Sequence, residues 1–180
     1  MRKANSSFVF VFLFPFLITF VEDSGKSTLG SSLAKSLDLV FVEADDFHSA
    51  ENKAKMGEGK PLTDEDRMPW LEALNQEMLR HSKRGGCVLA CSALKKKYRE
   101  VIFRGVDRKS TSIIFCHGQQ ECLEARLNAR VGHFAKSSLL KSQLEILEEP
   151  DANEAFLVVR IRCEDSPEEQ LQAAKRELIR

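Results

Sequence analysis

At 180 residues the chain fits one domain and leaves little for a second. With 43% apolar and 30% charged residues it can build a core, which excludes a disordered polymer; collagen, coiled-coil and disulfide-scaffold classes fail on the same composition. Its 27 basic and 27 acidic side chains cancel, so no net field marks a general polyanion binder, and no nucleic-acid partner is expected.

Six of the twelve Phe residues lie in the first twenty positions, within a charge-free run from Phe8 to Val21 that Arg2 and Lys3 precede. The run has two readings. One is a buried parallel strand, which β-branched and aromatic residues suit. The other is the basic and apolar opening of a secretory signal. A membrane span is not expected, because a span needs about 20 apolar residues and Pro15 interrupts the run. The segment that follows, Glu22-Asp-Ser-Gly-Lys-Ser-Thr28, has no small-x-small cleavage pattern and reads as a strand-to-helix phosphate loop. The strand is therefore preferred and a cytoplasmic location expected, with secretion as the alternative.

Beyond Ser24 short apolar runs alternate with amphipathic segments, the pattern of a parallel sheet wrapped by helices. Leu29, Leu33 and Leu37 predict a helix from Lys26 to Leu37, and Leu39 to Val42 a strand. Thr63 with Asp66 makes a capping signal ahead of a helix whose face is Trp70, Leu71, Leu74, Met78 and Leu79, ending before Gly85-Gly86. Cys87 to Cys91 and Ile113 to Cys116 read as strands, Leu123 to Val131 as a helix and Phe156 to Val159 as a strand. Ser166 caps a last helix with Pro167 at its first position and Leu171, Ala174 and Leu178 inside. The expected fold is α/β: a doubly wound, parallel five-stranded sheet with flanking helices. The five cysteines are odd in number and hold no CxxC pair, and the four histidines lack metal-ligand spacing. Reduced, buried thiols are expected and a zinc site is not.

Ligands of such sheets bind beyond the carboxyl ends of the strands, so the segments just after each strand are where chemistry is sought. Gly25-Lys26-Ser27-Thr28 is the second half of a P-loop. In such a loop backbone N–H groups surround phosphate, the lysine reaches the β- and γ-phosphates, and the hydroxyl holds Mg²⁺. The first half departs from the pattern. Phe20 stands where the first glycine belongs, and Glu22 and Asp23 lie inside the loop. A bulky ring is expected to resist the turn. A carboxylate roughly 5 Å from a phosphate charge costs about 3 kcal/mol at an effective dielectric near 20. Weak nucleotide binding is the expectation.

Glu43-Ala-Asp45-Asp46-Phe-His48 follows the second strand, either as a carboxylate set for Mg²⁺ and a substrate hydroxyl or as a solvated acidic turn. Lys95-Lys96-Lys97-Tyr98-Arg99 follows the third, where cations at a helix start suggest a nearby anion, or a plain solvated face. Arg126 and Arg130, with Gly132-His133-Phe134 after them, suit closure over a triphosphate, or a dipole contact at a helix end.

Together these stretches resemble the gluconokinases, small P-loop kinases similar in fold to shikimate and adenylate kinases. The likeness is carried by Gly25 to Thr28, Ala44-Asp-Asp-Phe-His48, Asn52 to Met56 and Pro61-Leu-Thr-Asp-Glu-Asp-Arg67 with Pro69-Trp-Leu71. It continues through Ala90-Cys-Ser-Ala-Leu-Lys-Lys96 with Tyr98-Arg99, then Arg126-Leu127, Gly132-His-Phe134, and Ser142-Gln143 through Leu147-Glu148. The resemblance implies transfer of the ATP γ-phosphoryl group to the terminal hydroxyl of D-gluconate, with Mg²⁺. Carried over by position, Ser24 to Thr28 bind nucleotide, Lys26 contacts phosphate, and Ser27 and Glu43 hold Mg²⁺. Asp45 activates the hydroxyl. His48, Arg67, Lys95, Arg99 and His133 contact the sugar acid, and Arg126, Arg130 and His133 belong to a small lid. A homodimer is also suggested. The likeness stops before Ser24. Residues 1–23 are expected to be foreign to the kinase domain of residues 24–180, from an alternative start, another exon or a misplaced gene boundary. A catalytically impaired binding protein is the alternative function.

Overall fold

The computed structural model describes residues 15–21, 24–129, 137–152, 154 and 157–178, with backbone alone at 126–129 and 137–139. Five strands, β1 Phe16–Thr19, β2 Val40–Glu43, β3 Cys87–Ala90, β4 Ser112–His117 and β5 Leu157–Arg162, form one all-parallel sheet in the order β2-β3-β1-β4-β5. Between them run α1 Lys26–Leu37, α2 Ala50–Gly57, α3 Asp64–Ser82, α4 Lys96–Ile102, α5 Gln120–Ala129 and α6 Ser137–Glu145, and α7 Pro167–Leu178 follows β5. Among the described residues no helix is long and apolar enough to cross a membrane.

The phenylalanine-rich run supplies the middle of the sheet. Phe16 pairs with Val88 on one side and Ser112 on the other, and all four residues of β1 are buried. A central strand covered by helices on both faces is buried at every position, which is why the run has no polar alternation and its one hydroxyl, Thr19, is hydrogen-bonded. Period two decides the face instead. Phe16 and Ile18 join Leu29, Leu33, Val88, Ile114 and Ala174 on the α1 and α7 side, while Leu17 joins Trp70, Leu71, Leu74, Met78, Leu89 and Ile102 on the α3 and α4 side. The edge strands are wetter, with Val40 and Leu157 exposed.

Local signals set the helix ends. Thr63 accepts from the Asp66 N–H at 3.1 Å while the Asp66 carboxylate accepts from the Thr63 N–H at 2.8 Å, the reciprocal box read from the sequence. Ser166 and Glu169 repeat it ahead of α7. Gly30 is required for packing, since a Cβ there would lie 2.7 Å from the Phe41 ring. β2 sits a residue later than the periodicity predicts, β3 ends a residue earlier, β4 is longer, β5 runs on to Arg162 and α5 starts earlier, while Val131 and Phe156 lie outside the described residues. All five thiols are free and four are buried; burial pushes those of Cys87 and Cys91 up to about 12. Because β2, β3 and β1 are neighbours, the turns after them gather over one half of the sheet's carboxyl edge.

Candidate active site

At the exit of β1, Phe20 is buried and its ring meets Phe115 edge to face, centroids 5.3 Å apart. The turn does not demand a glycine there. Among the described residues only Asp38 and Ala93 are non-glycine positions with positive φ, so the expected clash of Phe20 with a left-handed turn is corrected: the ring points into the core instead. The left-handed step falls on Gly25, at φ +95°, and α1 begins at the next residue. The N-cap Gly25 has no side chain to offer the first turn of α1, where an anion would meet the helix's first N–H groups. The Lys26 ammonium donates to the Val21 carbonyl at 2.7 Å, Ser24 is buried, and Ser27 and Thr28 are exposed in the first turn. Glu22 and Asp23 lie outside the described residues.

At the exit of β2, residues Ala44–Phe47 form a 3-10 turn that exposes Asp45 and Asp46, with Glu43 half-buried before it. His48 ends the turn and lies flat on Trp70, centroids 4.2 Å apart and planes 14° apart; the Trp70 indole N–H in turn donates to the Ala44 carbonyl at 2.7 Å. The buried Nδ1 of His48 has no hydrogen-bond partner among the described residues. Burial holds the imidazole below its ordinary pKa. Arg67 and Lys53 reinforce that and Asp45 opposes it.

At the exit of β3, the Thr19 hydroxyl donates to the Ser92 carbonyl at 2.7 Å, tying this turn to β1. Beyond it three cations surround the Tyr98 ring: Lys95 at 5.5 Å from its centroid, Arg67 at 5.7 Å and Lys97 at 5.9 Å. Asp64, the first residue of α3, anchors the two lysines and the ring. It accepts from Lys97, from the Tyr98 hydroxyl, and from Lys95 at 3.1 Å. Lys97, Tyr98 and Lys95 in that order hold the Asp64 carboxyl well below the usual carboxylate range, and Asp64 raises Lys95. Burial, then Asp64, raises the Tyr98 phenol. Three cations against one carboxylate leave the cluster net positive, a suitable seat for a small carboxylate.

A family model described as shikimate kinase matches residues 23–177. The chain is 43% identical to a protein described as probable gluconokinase from Xenopus tropicalis, over 78% of this chain and 82% of that one. It is 41% identical to the thermosensitive gluconokinase of Escherichia coli (strain K12), over 79% and 76%. The crystal structure of a gluconokinase from Sinorhizobium meliloti 1021 superposes with a TM-score of 0.84 at 36% identity, covering 93% of this chain and 92% of that one. The chain belongs to the shikimate kinase family, among the gluconokinases. It is therefore a phosphotransferase with a P-loop kinase fold.

Within this gluconokinase-family chain the expected site residues fall into three groups. Lys26, Ser27, Glu43, Asp45, His48, Arg67 and Lys95 lie at or beside the carboxyl edge of β1, β2 and β3. Arg99 lies elsewhere: it is 1% exposed, its Nε and Nη2 donate to Glu154 at 2.6 and 2.7 Å, and its Nη1 donates to the Ala93 and Leu94 carbonyls at 3.0 and 3.2 Å. Arg126 is on α5 with only its backbone described, and Arg130 and His133, the rest of the expected lid, lie outside the described residues. Sequence reasoning missed Asp64, Tyr98 and Trp70 as parts of the site. Asp64 carried a signal, an acid in the first turn of α3, but that reads equally as a dipole contact.

Proposed function

We propose that the protein transfers the γ-phosphoryl group of ATP to the terminal hydroxyl of D-gluconate, giving 6-phospho-D-gluconate. The observation that carries this reading is the cationic cluster of Arg67, Lys95 and Lys97 on Tyr98, set at the same sheet edge as the α1 amino terminus and Asp45. It pairs a seat for a carboxylate with a seat for phosphate. The resemblance to proteins named gluconokinase supports the choice of sugar acid.

The residues present suit Mg·ATP. Gly25 is the N-cap of α1, Lys26 is the helix's first residue, and the oxygens of Ser27 and Glu43 are the hard donors Mg²⁺ takes. ATP supplies the transferable phosphoryl group and Mg²⁺ neutralises its charge. The chain's part is placement. Lys26 and the α1 N–H groups hold phosphate oxygens, while Arg67 and Lys95 hold the gluconate carboxylate. Asp45, exposed at the end of β2, accepts the proton of the attacking hydroxyl. His48 presents a neutral imidazole to the polyol. A coupled ADP-release assay with gluconate and with shikimate tests this: gluconate-dependent release supports it, and release with shikimate alone refutes it.

The second reading is a family member that binds a sugar acid and turns over little ATP. It rests on Glu22 and Asp23, two acids in the phosphate loop, and predicts gluconate binding without ADP release.

A further inference from the structure

We propose that Arg99 is a positioning residue which, with Glu154, fixes the turn that carries Lys95, and that it makes no contact with the substrate; this rests on the proposed gluconate site. Four of the five guanidinium N–H groups are committed, two to Glu154 and two to the carbonyls of Ala93 and Leu94. Both charged partners are buried, at 1% and 4% side-chain exposure, and the forked pair is neutral as a unit. It adds nothing to the charge a carboxylate would meet. What it does hold is backbone.

The held turn needs holding. Ala93 has φ +29°, a conformation that a residue with a Cβ keeps only when its surroundings over-determine it. The next carbonyl, that of Leu94, accepts from both Arg99 and the Glu148 N–H, the latter at 2.8 Å. Lys95 is the N-cap of α4 and offers no side-chain cap, so the Glu148 carboxylate supplies one, accepting from the Lys96 N–H at 2.6 Å. The segment after α6 thus clamps residues 93–96 from one side through Glu148 and Glu154. On the other side Lys95 reaches Asp64 and the Tyr98 ring. Releasing Glu154 frees the turn, and Lys95 is the group in the cationic cluster that moves with it.

The test is a double-mutant cycle on the full chain. Glu154→Gln is expected to raise the gluconate KM about tenfold, within the range for groups coupled through one network, while kcat changes by less than about twofold. In a Lys95→Met background the same change should shift KM less than about twofold. Arg99→Lys keeps the charge but not the fork, and should raise KM in the same way. An unchanged or lowered KM in Glu154→Gln, as when a freed Arg99 reaches the carboxylate, overturns the proposal, as does an effect undiminished in Lys95→Met. A second readout needs no gluconate: competitive acetylation with acetic anhydride, read by mass spectrometry. Lys95 labelling should rise severalfold relative to Lys60 in Glu154→Gln or, should that variant unfold, in Glu154→Asp; an unchanged ratio refutes the proposal. If labelling shifts but the natural chain does not phosphorylate gluconate, the substrate reading fails and the positioning role stands.

Discussion

Phe20 packs its ring edge to face on Phe115, with centroids 5.3 Å apart and planes at 85°. This contact gives the ring a place in the core at the position where a phosphate loop has its first glycine. Phe20 is 3% exposed and belongs to the same core cluster as Leu29 and Leu33 of α1. The position is part of the core, and Gly25, the N-cap of α1, takes a left-handed conformation.

Restoring glycine at that position should therefore harm the fold. Phe20→Gly removes a buried aromatic and its ring partner, and a loss of about 3–5 kcal/mol is expected from the large-to-small series. Urea unfolding checks this. A midpoint equal to that of the natural chain would show that Phe20 packs nothing.

The two loop acids are a separate matter, because their effect is electrostatic. Replacing Glu22 by Ser and Asp23 by Gly together should raise apparent ATP affinity by about tenfold or more, since one carboxylate near a phosphate costs about 3 kcal/mol before Mg²⁺ and water soften it. The KM for ATP at saturating gluconate is the readout. Equal values before and after would refute the charge argument.

Asp45 is exposed on a short turn, so its removal should spare stability and strike chemistry. Asp45→Asn is expected to lower kcat by about 10²–10⁴-fold while the KM for gluconate stays within about threefold. A variant with full kcat would move the proton acceptor elsewhere.

His48 makes stability pH-dependent. Burial lowers its native pKa below the ordinary 6.5, so between those two values the folded chain binds fewer protons than the unfolded one. Stability conferred by the neutral ring is complete above 6.5 and is lost as pH falls from there to the native pKa. The groups facing the ring are Asp45, Arg67, Lys53 and Trp70. Relative to His48→Gln, the natural chain should lose thermal stability as pH is lowered from 7 toward 5. A gap that is flat across that range would contradict the shift.

Much of the sheet was legible because its strands are short apolar runs whose length and composition suit burial on both faces, as in Cys87 to Ala90. Caps were legible because Thr63 with Asp66, and Ser166 before Pro167, act locally. α2 was not legible. Its Ala-Glu-Asn-Lys-Ala-Lys-Met-Gly has no apolar stripe, and its one buried side chain, Asn52, is held by a hydrogen bond to the Asp66 carbonyl at 2.8 Å. The Asp64 hub needs α4 beside the start of α3, a pairing across more than thirty positions that spacing does not report. The direction of Arg99 was hidden for a related reason. A resemblance carries a residue by position and not by direction, and α4 turns this side chain inward beneath the site.

On the proposed reading Gly25 to Thr28 seat a triphosphate although Phe20 stands where the loop's first glycine belongs and Glu22 and Asp23 lie within the loop. Calorimetric titration of the full chain with Mg·ATP tests it most directly. Saturable, one-to-one uptake that Lys26→Met weakens is expected. No measurable heat at millimolar nucleotide, from a chain that is folded by circular dichroism, would contradict it.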